Sequence, residues 1–194
     1  MILTDRQLRE AIKLGKIKVE PFEDAQVQPA TYDLRVGNRG ATTSARKLID
    51  VSKVGYLTLE PGDTAVVSTL EILELDRQHV GRFGLRSKYS RKGLIATTGT
   101  QIDPGFRGRL IIGLTNVTPS RIVLPHKDDF VSLEVHRLEE PAESAESAYD
   151  GPYQGHVDLR PEDIEFVLEA SGAALPDIIK TMSGTKTSAS WATK

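Results

Sequence analysis

Eight residues in the middle of the chain, Arg86-Ser87-Lys88-Tyr89-Ser90-Arg91-Lys92-Gly93, hold four cationic side chains and two serine hydroxyls. Such a segment can clamp several phosphate oxygens, Arg by forked hydrogen bonds and Ser by its hydroxyl and backbone N–H. The alternative is a solvated turn whose charges serve solubility. A second candidate is Gly99-Thr100-Gln101-Ile102-Asp103-Pro104-Gly105-Phe106-Arg107-Gly108. A hairpin with this text can offer backbone groups, those of Gln101 and Ile102 included, to a flat heterocycle on which Phe106 stacks. Asp103 at its tip can take a proton from water or bind a sugar hydroxyl. The alternative is plain turn chemistry, since Asp-Pro-Gly is a common turn sequence.

Other polar features carry less. His79, His126, His136 and His156 are scattered, with no pair at metal-ligand spacing. Gly184-Thr185-Lys186-Thr187 echoes a phosphate loop without its full spacing or a preceding strand. Tyr32-Asp33-Leu34-Arg35 reads as a strand start with a buried Asp–Arg contact, a structural role.

The elements that must position these residues are mostly strands. A short helix comes first, with Thr4 and Gln7 as a capping box, Leu8, Ala11 and Ile12 on one face, and Gly15 as its stop. Pro21 and Pro29 punctuate the next stretch, and strand text begins near Thr31. Short runs rich in Val, Ile, Leu and Thr follow at 56–59, 64–69, 94–97, 110–114, 121–124 and 130–135. Glu60-Pro61-Gly62-Asp63, Asp103-Pro104-Gly105 and Thr118-Pro119-Ser120 separate them as turns. Many short strands without intervening helices predict a mainly β fold, a sandwich or jelly roll.

Residues 1–138 therefore read as one β domain with an N-terminal helix, and 139–194 as an appendage. Residues 139–150 carry five acidic groups and few apolar ones, as a solvated linker would. Pro161 opens a second helical pattern, with Ile164, Val167 and Leu168 as its apolar stripe and Gly172 as its stop. The tail after Pro176 reads as flexible, with Trp191 its one large apolar group.

With 194 residues, 27% charged and 39% hydrophobic, the composition is that of a soluble globular protein. A net charge of −2 argues against a dedicated nucleic-acid binder. The chain has no cysteine, which excludes disulfides, thiolate nucleophiles and Cys-bearing zinc sites. No apolar run approaches a membrane span, and no signal-peptide pattern opens the chain, so the expected location is the cytoplasm.

The motifs occur in an order that resembles the dCTP deaminase/dUTPase superfamily, from the N-terminus to about residue 156. MILTDRQLREAI and the stretch from Gln28 to Gly37 look like the deaminase branch. Leu59-Glu60-Pro61-Gly62, Ser68-Thr69-Leu70-Glu71, the Arg86–Arg91 segment, Ile102 to Gly108, Asn116 and Tyr153-Gln154-Gly155 follow in family order. The resemblance implies a distorted β-barrel or jelly-roll subunit in a homotrimer with active sites at subunit interfaces. It also implies deoxypyrimidine triphosphate substrates, Mg2+ held mainly by their phosphates, and no zinc. By position, Arg86, Ser87 and Arg91 match the motif that contacts phosphates and shapes the catalytic pocket. Asp103 matches the Asp that meets the deoxyribose and, in dUTPases, activates water. Phe106 matches the aromatic residue that stacks on the sugar. Tyr153 and Gln154 lie in the segment that folds over the nucleotide.

The chain departs from the deaminase pattern at Gly113, which stands where family deaminases carry a catalytic Glu, three positions before Asn116. Lys88 and Tyr89 replace a small residue and Leu, and Pro152 and His156 replace Lys and Gln. The Gly-rich arm of dUTPases is not recognisable, although the spacing from Arg86 to Asp103 is dUTPase-like. Deamination needs a group that deprotonates water and protonates ammonia, a contribution of roughly 10²–10⁴ in rate. The sequence therefore favours hydrolysis of dUTP or a related nucleotide to the monophosphate and pyrophosphate, with Asp103 and Arg91 as catalytic groups. Deamination of dCTP comes second, and a non-catalytic nucleotide-binding regulator third.

Overall fold

Helix α1 (Asp5–Lys13) forms where the capping pattern places it. The structure, a computed structural model, describes residues 1–143, 154–155 and 157–165. The Gln7 side chain accepts the Thr4 backbone N–H at 3.0 Å, satisfying one of the free donors at the helix start. Gly15 takes φ +69°, and the N–H groups of Gly15 and Lys16 return to the carbonyls of Ile12 and Ala11. That left-handed stop uses the one residue type with no Cβ to resist it. Leu8 and Ala11 are buried, which fixes the helix on the sheet.

The strands are β1 (Ile17–Glu20), β2 (Tyr32–Thr42), β3 (Leu48–Asp50), β4 (Tyr56–Leu59), β5 (Thr64–Leu75), β6 (His79–Leu85), β7 (Leu94–Ala96), β8 (Gln101–Ile102), β9 (Arg107–Asn116), β10 (Ile122–Pro125) and β11 (Asp129–Arg137). Short helices α2 (Val51–Val54) and α3 (Ser87–Ser90) interrupt them. Nine strands share one sheet, in the order β7-β9-β5-β2-β11-β6-β8, with β1 on β5 and β3 on β2. A separate ribbon pairs β10 with β4, and the strand pairings are antiparallel.

Irregularities in register curl this sheet into a half-barrel. The β5–β9 pairing shifts between Ser68 and Ile72, and β2–β5 shifts between Val36 and Gly40. Such bulges bend a strand and increase its twist. Gly37 is required at the second shift, because a Cβ there would stand 2.5 Å from the carbonyl oxygens of Ser68 and Thr69. Tyr32, Leu34, Leu73, Ile112, Leu114, Phe130 and Leu133 fill the enclosed core.

The mainly β class and its predicted runs are observed, with two additions. The sequence reading passed over β1, where two apolar residues are too few to show alternation. It also passed over the C-terminal segment as a packing element. Leu159 and Ile164 form a second apolar cluster with Ala41 and Val66, so this segment covers the outer face of β2 and β5. Of the expected C-terminal helix the structure describes a 3₁₀ turn, Pro161–Ile164. Val167, Leu168, Gly172, Trp191 and most of the acidic run lie outside the described residues. Among the described residues, no helix is long and apolar enough to cross a membrane.

Candidate active site

The Asp103 hairpin hangs from β8, which pairs with β6 through Gly81–Ile102 and Arg82–Gln101. Gly81 makes room for it, since a Cβ there would lie 2.9 Å from the tip of Ile102. Asp103-Pro104-Gly105-Phe106 closes a turn, with Phe106 N–H donating to the Asp103 carbonyl at 3.1 Å. Pro104 presets its φ and Gly105 supplies the positive one, +82°. The turn is tied to the end of β5 by Leu75 N–H to the Phe106 carbonyl, 2.9 Å. The Asp103 carboxylate stands half-buried on this rigid support and accepts from Gln101 Nε2 at 2.8 Å.

Behind it lies a cavity of about 300 Å³. Phe83, Ile102, Phe106, Leu110 and Ile112 supply apolar walls, and Thr98, Gln101, Asp103 and Arg109 supply polar groups. Asp103 is the one carboxylate among the described lining residues. Arg109 donates to the backbone carbonyls of Thr69, at 3.1 Å, and Val157. From the C-terminal segment, Gln154 bonds the backbone of the turn. Its Oε1 accepts from Arg107 N–H at 2.9 Å and its Nε2 donates to the Gly105 carbonyl at 3.1 Å. The Gln154 amide therefore grips the turn that carries Asp103. Tyr153 and His156 fall outside the described residues.

The ring of Phe106 is largely covered. It is 5% exposed and packed in the main core, where it forms part of the cavity wall. Its flanking backbone bonds to β5 draw it inward. Ile102 is likewise a buried wall residue.

The basic segment lines a different cavity, of about 340 Å³, that shares no described residue with the first. Its start is fixed by Arg86 N–H donating to Phe130 at 2.8 Å. Arg86 pairs with buried Asp33 and, through Nε at 2.9 Å, with Asp129. Lys88 Nζ lies 2.8 Å from Asp128 and 3.0 Å from Asp129. Tyr89 OH donates to Asp128, and burial together with that bond pushes the phenol well above its ordinary range. Burial pushes Asp128 upward, but Lys88 and Tyr89 outweigh it and hold the carboxylate below the usual range. Ser87 and Arg91 are exposed, and Arg91 makes no side-chain hydrogen bond or ion pair among the described residues.

These pairings correct the expected contact inside 32–35. Asp33 turns to Arg86 and to Ser132 Oγ at 2.7 Å, whereas Arg35 binds Glu71, with Nε to Oε1 at 2.6 Å. Glu71 lies on β5 beside β2, so a buried guanidinium meets a buried carboxylate there. Asp128 and Asp129 do not stand out in the sequence. Two adjacent acids before a strand were the available signal, but their complement lies 40 residues away. No described group of His, Asp and Glu is arranged to hold a metal ion. Asp33, Asp128 and Asp129 are already matched to cations, so Mg2+ would fit here only as an ion carried by triphosphate oxygens, which are hard donors.

Comparison with known proteins agrees with the motif order. The family model described as dCTP deaminase-like matches residues 2–138. A dCTP deaminase of Thermococcus sibiricus is 36% identical over 160 residues, 82% of this chain and 96% of the relative. A dUMP-forming dCTP deaminase of Aquifex aeolicus is 32% identical over 174 residues, 84% of this chain and 95% of the relative. The solved 2'-deoxycytidine 5'-triphosphate deaminase of Agrobacterium tumefaciens shares the fold, with a TM-score of 0.60 at 21% identity. That match covers 70% of this chain, which spans about half, 47%, of the solved one.

Proposed function

Because the chain belongs to the dCTP deaminase-like family, we propose that it is an enzyme that deaminates dCTP to dUTP and ammonia. The observation that carries a water-activating role is Asp103, the one described carboxylate in a mainly apolar cavity, held on a rigid turn and oriented by Gln101. Asp103 takes a proton from water as the oxygen attacks C4 of the base. The same carboxyl returns that proton to the departing nitrogen, the hydroxyl proton left on C4 passes to N3 as the C4–N bond breaks, and dCTP and water become dUTP and ammonia. Such proton transfer is worth roughly 10²–10⁴ in rate. Arg91 and Ser87 contact the phosphates, and Mg2+ arrives on the triphosphate. Arg86 acts differently: with Asp33 and Asp129 on its guanidinium, it holds the segment in place. A homotrimer would bring the basic segment of one subunit to the Asp103 cavity of another, which joins two sites that stand apart in one chain.

This order reverses the one reached from sequence, because relatives over four-fifths of the chain bear the name dCTP deaminase. One observation favours the second reading, in which water activated at Asp103 attacks the α-phosphorus of dUTP. Gly113 itself carries no acid, and a Cβ there would stand 2.6 Å from Thr97 Oγ1 and 3.1 Å from Thr98 Cγ2, so a side chain at 113 would have to displace Thr97. The test is a product assay with Mg2+, offering dCTP and dUTP separately and following ammonia and pyrophosphate. Ammonia from dCTP is expected. Pyrophosphate from dUTP with no ammonia from dCTP would replace the first reading by the second.

A further inference from the structure

The ladder between β5 and β9 breaks between the pairs Ser68–Ile111 and Ile72–Arg109, four steps along β5 against two along β9. Within the break the Thr69 hydroxyl stands in for a strand partner. It accepts from Leu110 N–H at 3.1 Å and donates to the Glu71 carbonyl at 2.9 Å. The Thr69 carbonyl accepts from Arg109 Nη1 at 3.1 Å. Through Nε the same guanidinium donates to the Val157 carbonyl. A planar fork with donors at fixed angles therefore ties this irregular stretch of the sheet to the C-terminal segment.

That segment is held on either side of Val157 by other means. On one side, Asp158 accepts from Ser68 Oγ at 2.9 Å, and Leu159 and Ile164 are buried against Ala41 and Val66. On the other, Gly155 N–H donates to the Arg107 carbonyl at 2.7 Å, and the Gln154 amide bridges Arg107 N–H and the Gly105 carbonyl. Val157 itself is 68% exposed, so apolar burial does not hold the chain there, and Arg109 does. Gln154 is exposed, and its bonds to the Asp103 turn compete with water. They persist only while the backbone behind them is kept close. We infer that Arg109 is a positioning residue for Asp103. It fixes the Val157 carbonyl, which keeps the Gln154 amide on the turn, which sets the Asp103 carboxylate against its cavity. Arg109 also lines that cavity, so tether and wall are one side chain. The inference rests on the reading of Asp103 as the water-activating group and deepens it by naming what holds that group in place.

The test compares the full chain with Arg109→Met, Arg109→Lys, Gln154→Ala and the Arg109→Met/Gln154→Ala double variant. Two readouts are taken: hydrogen exchange over 154–159 without nucleotide, and kcat and KM for ammonia release from dCTP with Mg2+. In Arg109→Met the exchange should quicken about tenfold, the opening that loss of one hydrogen bond allows. Its kcat should fall roughly 10–100-fold, the cost of a slightly misplaced group, with KM changed less. Arg109→Lys keeps a donor for one carbonyl and should recover part of both losses. Gln154→Ala should lower kcat similarly, and the double variant should be no worse than the worse single one, because both act through one contact. A merely structural Arg109 would lower the melting temperature and leave kcat alone. Unchanged exchange in Arg109→Met overturns the tether. Faster exchange with unchanged kcat overturns the positioning of Asp103, and losses that multiply in the double variant overturn the route through Gln154. If Arg109→Met does not fold, Arg109→Lys and Gln154→Ala carry the same comparison. Absence of ammonia from wild type, with exchange as expected, overturns the reading of Asp103 rather than the tether.

Discussion

Around Arg86 every carboxylate has a cation: Asp33 and Asp129 hold Arg86, while Asp128 and Asp129 hold Lys88. Around Asp103 the carboxylate has the Gln101 amide, Arg109 is spent on backbone carbonyls, and Thr98 Oγ1 has nothing. Both regions are polar, and the basic segment drew attention first because charge density is visible in a sequence. The structure shows half of that density, Arg86 and Lys88, to be paired within the chain. A saturated cluster fixes a backbone, whereas the half-buried Asp103 carboxylate beside an apolar wall remains open to a ligand.

The largest effect expected from breaking this contrast is at Asp103. Asp103→Asn should lower kcat by roughly 10²–10⁴, with nucleotide affinity nearly intact by calorimetry, and unchanged turnover would remove Asp103 from the chemistry. Asp33→Asn should act on stability instead. Removing a buried carboxylate from Arg86 costs about 2–3 kcal/mol, read from the urea midpoint, and a neutral result would mean the cluster is not structural. A smaller effect belongs to Gly113→Ala, whose Cβ meets Thr97 Oγ1 at 2.6 Å. It should cost about 1–2 kcal/mol, relieved in a Thr97→Ala background, and additive losses in that double-mutant cycle would show the two residues to be independent.

The smallest is a pH effect at Asp128. Its folded pKa lies below the unfolded value of about 3.9, so the stability it contributes is present above that value. That stability is lost as pH falls through the folded pKa. Acid unfolding of Asp128→Asn, followed by melting temperature, should be shallower than that of wild type across this window. Parallel curves would separate Asp128 from the cluster's stability.

The strand runs, the capping of α1 and the Asp-Pro-Gly turn were legible in the sequence because each depends on residues within a few positions. The hairpin with Gln101, Ile102 and Asp103 was legible for the same reason. The burial of Phe106 was not legible, since it depends on what β5 places beside it. Asp33 was given the wrong Arg, because its true partner lies across the β2, β11 and β6 neighbourhood rather than along the strand.

By itself, the sequence determined the β class, the turns and the family to which the motifs belong, all of which follow from local residue chemistry and order. Only the tertiary structure decided which charges cancel. Pairing of Arg86 with Asp33 and the grip of Gln154 on the Asp103 turn each join positions distant in sequence. Such contacts are set by sheet register and packing, in which a bulge of one residue changes which side chains meet.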